Sequence, residues 1–250
     1  SERLTDPVER YLANLGHGSG IPSETLLTNL RTSRGSVLNN RGTGSGGEES
    51  ESELLDSDVA YFSQTGTPNN GGVGLSLANC TFENPCGPTD FSQTGVNTLN
   101  SLLPNTLMFF NGGTYNALDA TGSNPITLNS GQGVNARTAD YSQAATGSGR
   151  SVFNGAFILN TNNTLANIIL LPTAATASGT GVTDNNGTND FIRGSQIGNI
   201  NNLYNVGVVI STNQLTITNS VIFGNNRGIR ADNGSVLFIQ GSQINTVSPS

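Results

Sequence analysis

Two cysteines, one histidine and a handful of spaced acids are the residues of this 250-residue chain with reactive chemistry to offer. Cys80 and Cys86 lie in the stretch "NCTFENPCGPTD". Zinc sites and thioredoxin-type redox sites use C-x-x-C spacing, and zinc needs further ligands besides. Here the spacing is wider, and the single His, His17, is far away in the chain. The pattern argues against a metal. It favours a short-loop disulfide, with a pair of free thiols in a turn as the alternative. A disulfide implies an oxidising, extracytoplasmic compartment. No metal and no cofactor is expected.

The acids fall into two groups. Glu48, Glu49, Glu51, Glu53, Asp56 and Asp58 crowd into "RGTGSGGEESESELLDSD". They lack the Gly-centred loop of an EF-hand. Gly and Ser give flexibility and the carboxylates repel, so residues 41–59 read as a linker. Farther on stand Asp184, Asp190 and Asp232, with Arg193, Arg227 and Arg230 near them in sequence. These arginines are candidate contacts for an anionic glycan, with solvated or loop-bracing Arg as the simpler reading. "GHG" at 16–18 lies outside the repeating part of the chain, and "GTGSGG" lacks the Lys of a phosphate loop. Neither supports catalysis.

Composition sets the frame that must position these groups. The formal net charge is −7, charged residues are 11%, and Gly supplies 32 residues. All ten basic residues are Arg. An acidic chain with few cations argues against a nucleic-acid partner, which needs a basic face. Turn-rich polar composition favours many short strands over long helices. No window is apolar enough to cross a membrane as a helix. The polar opening "SERLTDPVER" reads as a mature or excised fragment, and the closing "QINTVSPS" as a cut.

Residues 1–40 read as a short helical segment. Asp6, Pro7 and Glu9 suit its first turn, and Val8, Tyr11, Leu12 and Leu15 recur on one face. From residue 60 to 250 the pattern changes to short apolar runs punctuated by Asn and Gly.

The last third repeats itself. "DFIRGSQI", "LTITNSVI" and "LFIQGSQI" align on Ser195, Ser220 and Ser242. Ile192, Ile217 and Ile239 stand three before the serine, and Ile197, Ile222 and Ile244 two after it. These sets have opposite parity, so one straight strand cannot bury both. A sharp bend resolves this at Gly194, Asn219 and Gly241, residue types that tolerate left-handed backbone. Upstream, "GVTD", "GVVI" and "GIRA" place Val182, Val208 and Ile229 on a second phased strand. Each repeat is therefore strand, turn, strand, bend, strand and a loop of variable length. The serines are 25 and 22 residues apart. An earlier, less regular copy surrounds Leu165, Ile168 and Leu170. Three short strands per repeat describe an all-β, parallel β-helix, with clear coils over 160–250.

In such coils Asp184 aligns with Ile210 and Ala231, and Asp190 with Leu215 and Leu237, on the inner side. Thr183, Val209 and Arg230, and Phe191, Thr216 and Phe238, then face outward. Glycoside hydrolysis needs two carboxyls set apart on one accessible face. This outer wall offers no such pair.

The cysteine stretch precedes "VNTLNSLLPNTLMFFNGGTYNA". Val96, Leu99, Leu102 and Leu103 suit a short helix, "TLMFF" a buried strand and "NGGTY" a turn. This resembles the opening of many right-handed parallel β-helix proteins. In those, an "NPF" segment, a capping helix and a strand ending in "PGTY" close the first coil. Asn84 and Pro85 match the "NP", and Gly113, Thr114 and Tyr115 the "GTY". Cys86 replaces the aromatic, and Asn111 and Gly112 the usual Pro. The resemblance implies a cap over 79–117. It covers lyases, hydrolases and adhesins alike, so it implies a fold and no activity.

The whole, including "GQGVNARTADYSQAATGSGRSVFNGAFIL" at 131–159, is similar to the secreted passenger regions of bacterial inverse autotransporters. That resemblance implies an outer-membrane β-barrel upstream in the same polypeptide and a cell-surface or secreted location. The function expected is a non-enzymatic stalk or adhesin whose partners are carbohydrates or host surface proteins. A polysaccharide lyase or glycoside hydrolase is one alternative. A self-assembling structural subunit is another.

Overall fold

A computed structural model of the chain describes residues 59–67, 80–91, 102, 104–118, 123–185, 187–211 and 214–247. The expected N-terminal helix and most of the 41–59 linker lie outside them. So does the expected capping helix, except for Leu102, which is buried.

Strands follow wherever β-branched and aromatic residues alternate between turn residues. β1 (Val59–Thr67), β2 (Leu107–Asn111), β5 (Gly133–Arg137), β8 (Thr164–Ala166), β11 (Asp190–Arg193), β14 (Gln214–Thr218) and β16 (Val236–Gln240) stack as one parallel sheet. The second sheet has two walls. One comprises β3 (Thr114–Ala117), β6 (Val152–Gly155), β9 (Ile169–Leu171), β12 (Gln196–Ile197) and β17 (Gln243–Thr246). The other comprises β4 (Ile126–Thr127), β7 (Phe157–Leu159), β10 (Thr180–Asp184) and β13 (Tyr204–Ile210). The 11-residue β15 (Val221–Ala231) joins the two walls. The chain thus visits three walls per turn and pairs each strand in parallel with its successor one coil on. This is a parallel β-helix.

Two features depart from the sequence reading. β1 begins at Val59, inside the stretch assigned to the linker, because Val59 packs with Tyr61, Phe109 and Tyr141. The variable loop expected after each third strand disappears in β15, where Gly224 and two asparagines carry the strand around the corner.

Register places one interior column on each wall. On the first sheet it runs Ala60, Met108, Val134, Leu165, Ile192, Ile217, Ile239. On the second wall it runs Tyr115, Phe153, Leu170, Ile197, Ile222, Ile244. On the third it runs Ile126, Phe157, Val182, Val208, Ile229. Each fully buried aliphatic contributes about 1.5–3 kcal/mol, and only stacking on neighbouring coils removes it fully from water.

The core is aromatic at the β1 end and aliphatic toward β16. Phe62 stacks on Phe110 with centroids 4.6 Å apart, and Phe91 meets Phe110 edge-on at 5.0 Å. Cys86 bridges to Phe62 beside them.

The bend positions carry left-handed backbone: φ is 58° at Gly194, 49° at Asn219 and 59° at Gly241, and 59° at Asn167 in the earlier coil. The aligned serines follow these bends and hydrogen-bond through the stack. Ser195 N–H donates to Ser220 Oγ at 3.2 Å, and Ser220 N–H to Ser242 Oγ at 3.1 Å.

Candidate functional site

The register decides which side chains reach the surface. On the first sheet Thr164, Phe191, Thr216 and Phe238 form one outward row. Phe191 and Phe238 are 41% and 53% exposed, so this row is an accessible apolar strip. Val209, expected to face outward freely, is buried, lying in register between Thr183 and Arg230. Ala231, expected to face inward, is exposed at the end of β15.

The three arginines do not converge. Arg193 is half-buried on the first sheet, in register with Ala166 and Thr218. Arg227 and Arg230 lie on β15, in register with Val206 and Val209. Arg230 Nε stands 3.4 Å from Asp232 Oδ1, and Ser211 Oγ donates to Asp232 Oδ2 at 3.1 Å. This exposed pair fastens a turn to the coil below it.

Asp140 and Asp90 are also occupied in holding turns. Asp140 accepts from Thr138 Oγ1 at 2.6 Å and from Ser142 Oγ at 2.7 Å. These bonds hold its carboxyl down at about 2. Their loop carries Tyr141 over the outer face of β1 and β2, where its hydroxyl donates to the Phe62 carbonyl at 2.9 Å. Arg137, buried beneath, lies over the Phe109 ring and donates from Nε to the Tyr141 carbonyl. Asp90 is buried and accepts from Gly87 N–H at 2.8 Å. Cys80 and Cys86 are bonded as a disulfide, both buried, and the Cys80 carbonyl accepts from Tyr61 N–H. Among the described residues no group of three His, Cys, Asp or Glu is placed to hold a metal ion.

Asp184 and Asp190 meet inside the coil, at the ends of the turn joining β10 to β11. Both are fully buried. Asp190 occupies an interior column with Gln132 and Asn163 on the coils below and Leu215 above. Just before each polar member the backbone is left-handed: φ is 74° at Gly131, 57° at Asn162 and 61° at Asn189. Gln132 Oε1 accepts from Asn129 N–H at 2.9 Å, and Asn163 Oδ1 from Asn160 N–H at 2.6 Å. Their amide groups donate downward, Gln132 Nε2 to the Leu102 carbonyl and Asn163 Nδ2 to the Asn129 carbonyl. Burial pushes the Asp190 carboxyl up to about 7, against the Asn163 N–H bond that lowers it. The Asp184 carboxyl adds to the rise by charge and by hydrogen bonding.

Sequence alignment on the serines identified the inward position of both acids but not their contact. The missed signal is the second corner. "NSGQ", "NTNN" and "GTND" each end on the column residue, with Gly or Asn directly before it.

No family model matches the chain, and no curated protein matches it. Among solved structures, the crystal structure of pectate lyase Pel9A aligns with 15% sequence identity and a TM-score of 0.32. The alignment covers 67% of this chain and 54% of that one, so this chain spans about half the length of the structure it matches.

Proposed function

We propose that this β-helix is a cell-surface or secreted passenger that works as a non-enzymatic stalk or adhesin in a bacterial envelope. The observation that carries the reading is the employment of the coil acids. Asp140 and Asp232 tie down turns, and Asp184 and Asp190 are shut inside. An outer face dominated by Phe191, Thr216, Phe238 and dispersed arginines suits contact with a carbohydrate or a host surface protein. The Cys80–Cys86 disulfide suits an oxidising, extracytoplasmic location.

The test is a panel of polysaccharides incubated with purified protein and assayed for reducing or unsaturated sugar ends, alongside binding of the protein to the same glycans and to host cells. Binding without bond cleavage is expected, weakened by Phe191→Ala with Phe238→Ala. Turnover abolished by a single Asp substitution overturns the reading in favour of a lyase or glycoside hydrolase.

A further inference from the structure

In an Asn-Gly pair the backbone nitrogen of the glycine can attack the side-chain amide carbon of the asparagine. No Cβ stands in the way, and the glycine backbone turns freely. The chain has five such pairs, beginning at Asn70, Asn111, Asn154, Asn186 and Asn233. Those at 70 and 186 include residues outside the described ones. The fold holds the other three very differently.

Asn154 lies in β6, in register with Asn116 on one side and Leu171 on the other. Gly155 is buried, and its carbonyl accepts from the Tyr204 hydroxyl at 2.6 Å. Asn111 lies in β2 between Ser63 and Arg137, and its Nδ2 donates to the Ala139 carbonyl at 3.3 Å. The Gly112 carbonyl accepts from Ser151 Oγ at 3.1 Å. Attack at either pair needs the peptide plane between the two residues to swing. Each asparagine is paired with a strand on both sides, so the swing requires the coil to open locally.

Asn233 stands at the tip of the turn from β15 to β16. The stems of that turn are pinned. Asp232 N–H donates to the Ile210 carbonyl at 2.9 Å and Ser235 N–H to the Asp232 carbonyl at 3.1 Å. Ser235 Oγ donates to the Ile210 carbonyl at 3.1 Å, and Asp232 holds Arg230 and Ser211. Between the stems both Asn233 and Gly234 are exposed, with φ 86° at Gly234. Among the described residues no group bonds the Asn233 amide or the Gly234 N–H. Of the three peptide planes, this one swings without parting two coils.

We infer that Asn233 is a self-modification site, where the folded protein converts the amide to an aspartyl or isoaspartyl residue with water as co-reactant. The Gly234 nitrogen bonds to Asn233 Cγ, and the Cγ–Nδ2 bond breaks. The amide nitrogen leaves as ammonia, carrying the proton that the Gly234 nitrogen loses. Water then opens the five-membered imide, placing its hydroxyl on a carbonyl carbon and its proton on the nitrogen. Nothing is oxidised or reduced. Opening at Cγ leaves an ordinary backbone; opening at the main-chain carbonyl routes the chain through the side chain. Either product adds a carboxylate beside Asp232, at the entry to β16, the strand that carries Phe238. This inference does not depend on the adhesin reading.

Peptide mapping tests it on folded protein held in mildly alkaline buffer made with heavy-oxygen water. Cleavage after arginine yields residues 231–250 with a single Asn-Gly pair, and fragment masses separate positions 111 and 154 from 70 and 186. Position 233 is expected to gain one heavy oxygen more than about tenfold faster than positions 111 and 154, which must first open. In guanidinium chloride the three are expected to react at similar rates. Asn233→Gln, which leaves the stems of the turn in place, is expected to silence the peptide. Equal rates in the folded protein overturn the inference. So does the same ranking in denaturant, which would make sequence neighbours, not the fold, select Asn233. A signal that survives Asn233→Gln overturns it by placing the reaction elsewhere in the peptide.

Discussion

Gly194 sits directly above Asn167, and a Cβ added to Gly194 would strike the Asn167 side-chain oxygen. The two residues occupy the same bend on successive coils with nearly the same left-handed φ, 58° and 59°. Gly241 meets the Asn219 side-chain oxygen in the same way one pair of coils on. Gly194→Val adds both a left-handed β-branched residue and a collision, and should cost about 1–3 kcal/mol. Urea unfolding checks it. A midpoint equal to wild type would refute the strain assigned to this bend.

Ser220 is a two-way connector in the buried stack. Its Oγ accepts from Ser195 N–H at 3.2 Å and donates to the Thr218 carbonyl at 2.8 Å. Ser220→Ala removes the acceptor for Ser195 N–H in a place water does not reach. The expected loss is about 1–3 kcal/mol, the cost of an unpaired buried donor. Ser242→Ala, on a partly exposed residue, should cost less. Paired denaturation curves rank the two, and the reverse order would contradict the ladder.

Ile217 and Ile239 belong to one interior column, yet Ile217 is fully buried and Ile239 is 46% exposed. Ile217→Ala opens a cavity between two coils and should cost about 2–5 kcal/mol. Ile239→Ala removes methyls already half in water and should cost under about 1 kcal/mol. Calorimetry separates them. Equal losses would mean that Ile239 is covered in solution.

The sequence exposed the coils because apolar columns recur in phase. Ile192, Ile217 and Ile239 fall in step relative to their serines, and the parity break at Gly194, Asn219 and Gly241 requires a bend. Earlier coils were harder to see because the interior there accepts Phe, Tyr and Met in place of Ile, as in Met108, Phe153 and Phe157. The second corner was hidden for a different reason. Its left-handed residues are Asn105, Gly131, Asn162 and Asn189, and the polar residue that follows each is buried by hydrogen bonding, which hydropathy does not register. Gln132, Asn163 and Asp190 look like loop residues until their register is known. The outward Val209 shows the converse, a residue on the outward side by parity that is nevertheless buried.

The two shifted aspartates give opposite pH dependences, and their windows do not overlap. Asp140 is held at about 2 in the folded chain, below the ordinary carboxyl value. Its contribution is present above about pH 4 and is lost as the medium acidifies toward pH 2. Asp140 is exposed, so that contribution is screened and small. Asp190 is raised to about 7, chiefly by burial. The folded state then binds its proton more tightly than the unfolded chain does. Its contribution is complete below about pH 4, declines as pH rises, and is gone above about pH 7. The decline from one end of that window to the other is on the order of 4 kcal/mol. Stability should therefore peak near pH 4 and fall toward neutrality, which is unusual for an acidic protein with so few charged residues. Asp190→Asn should flatten the profile between about pH 4 and pH 7 and melt higher than wild type at pH 7.5. Thermal melts across that range decide it. A wild-type profile that rises toward neutral pH would show that Asp190 is ionised in the folded coil.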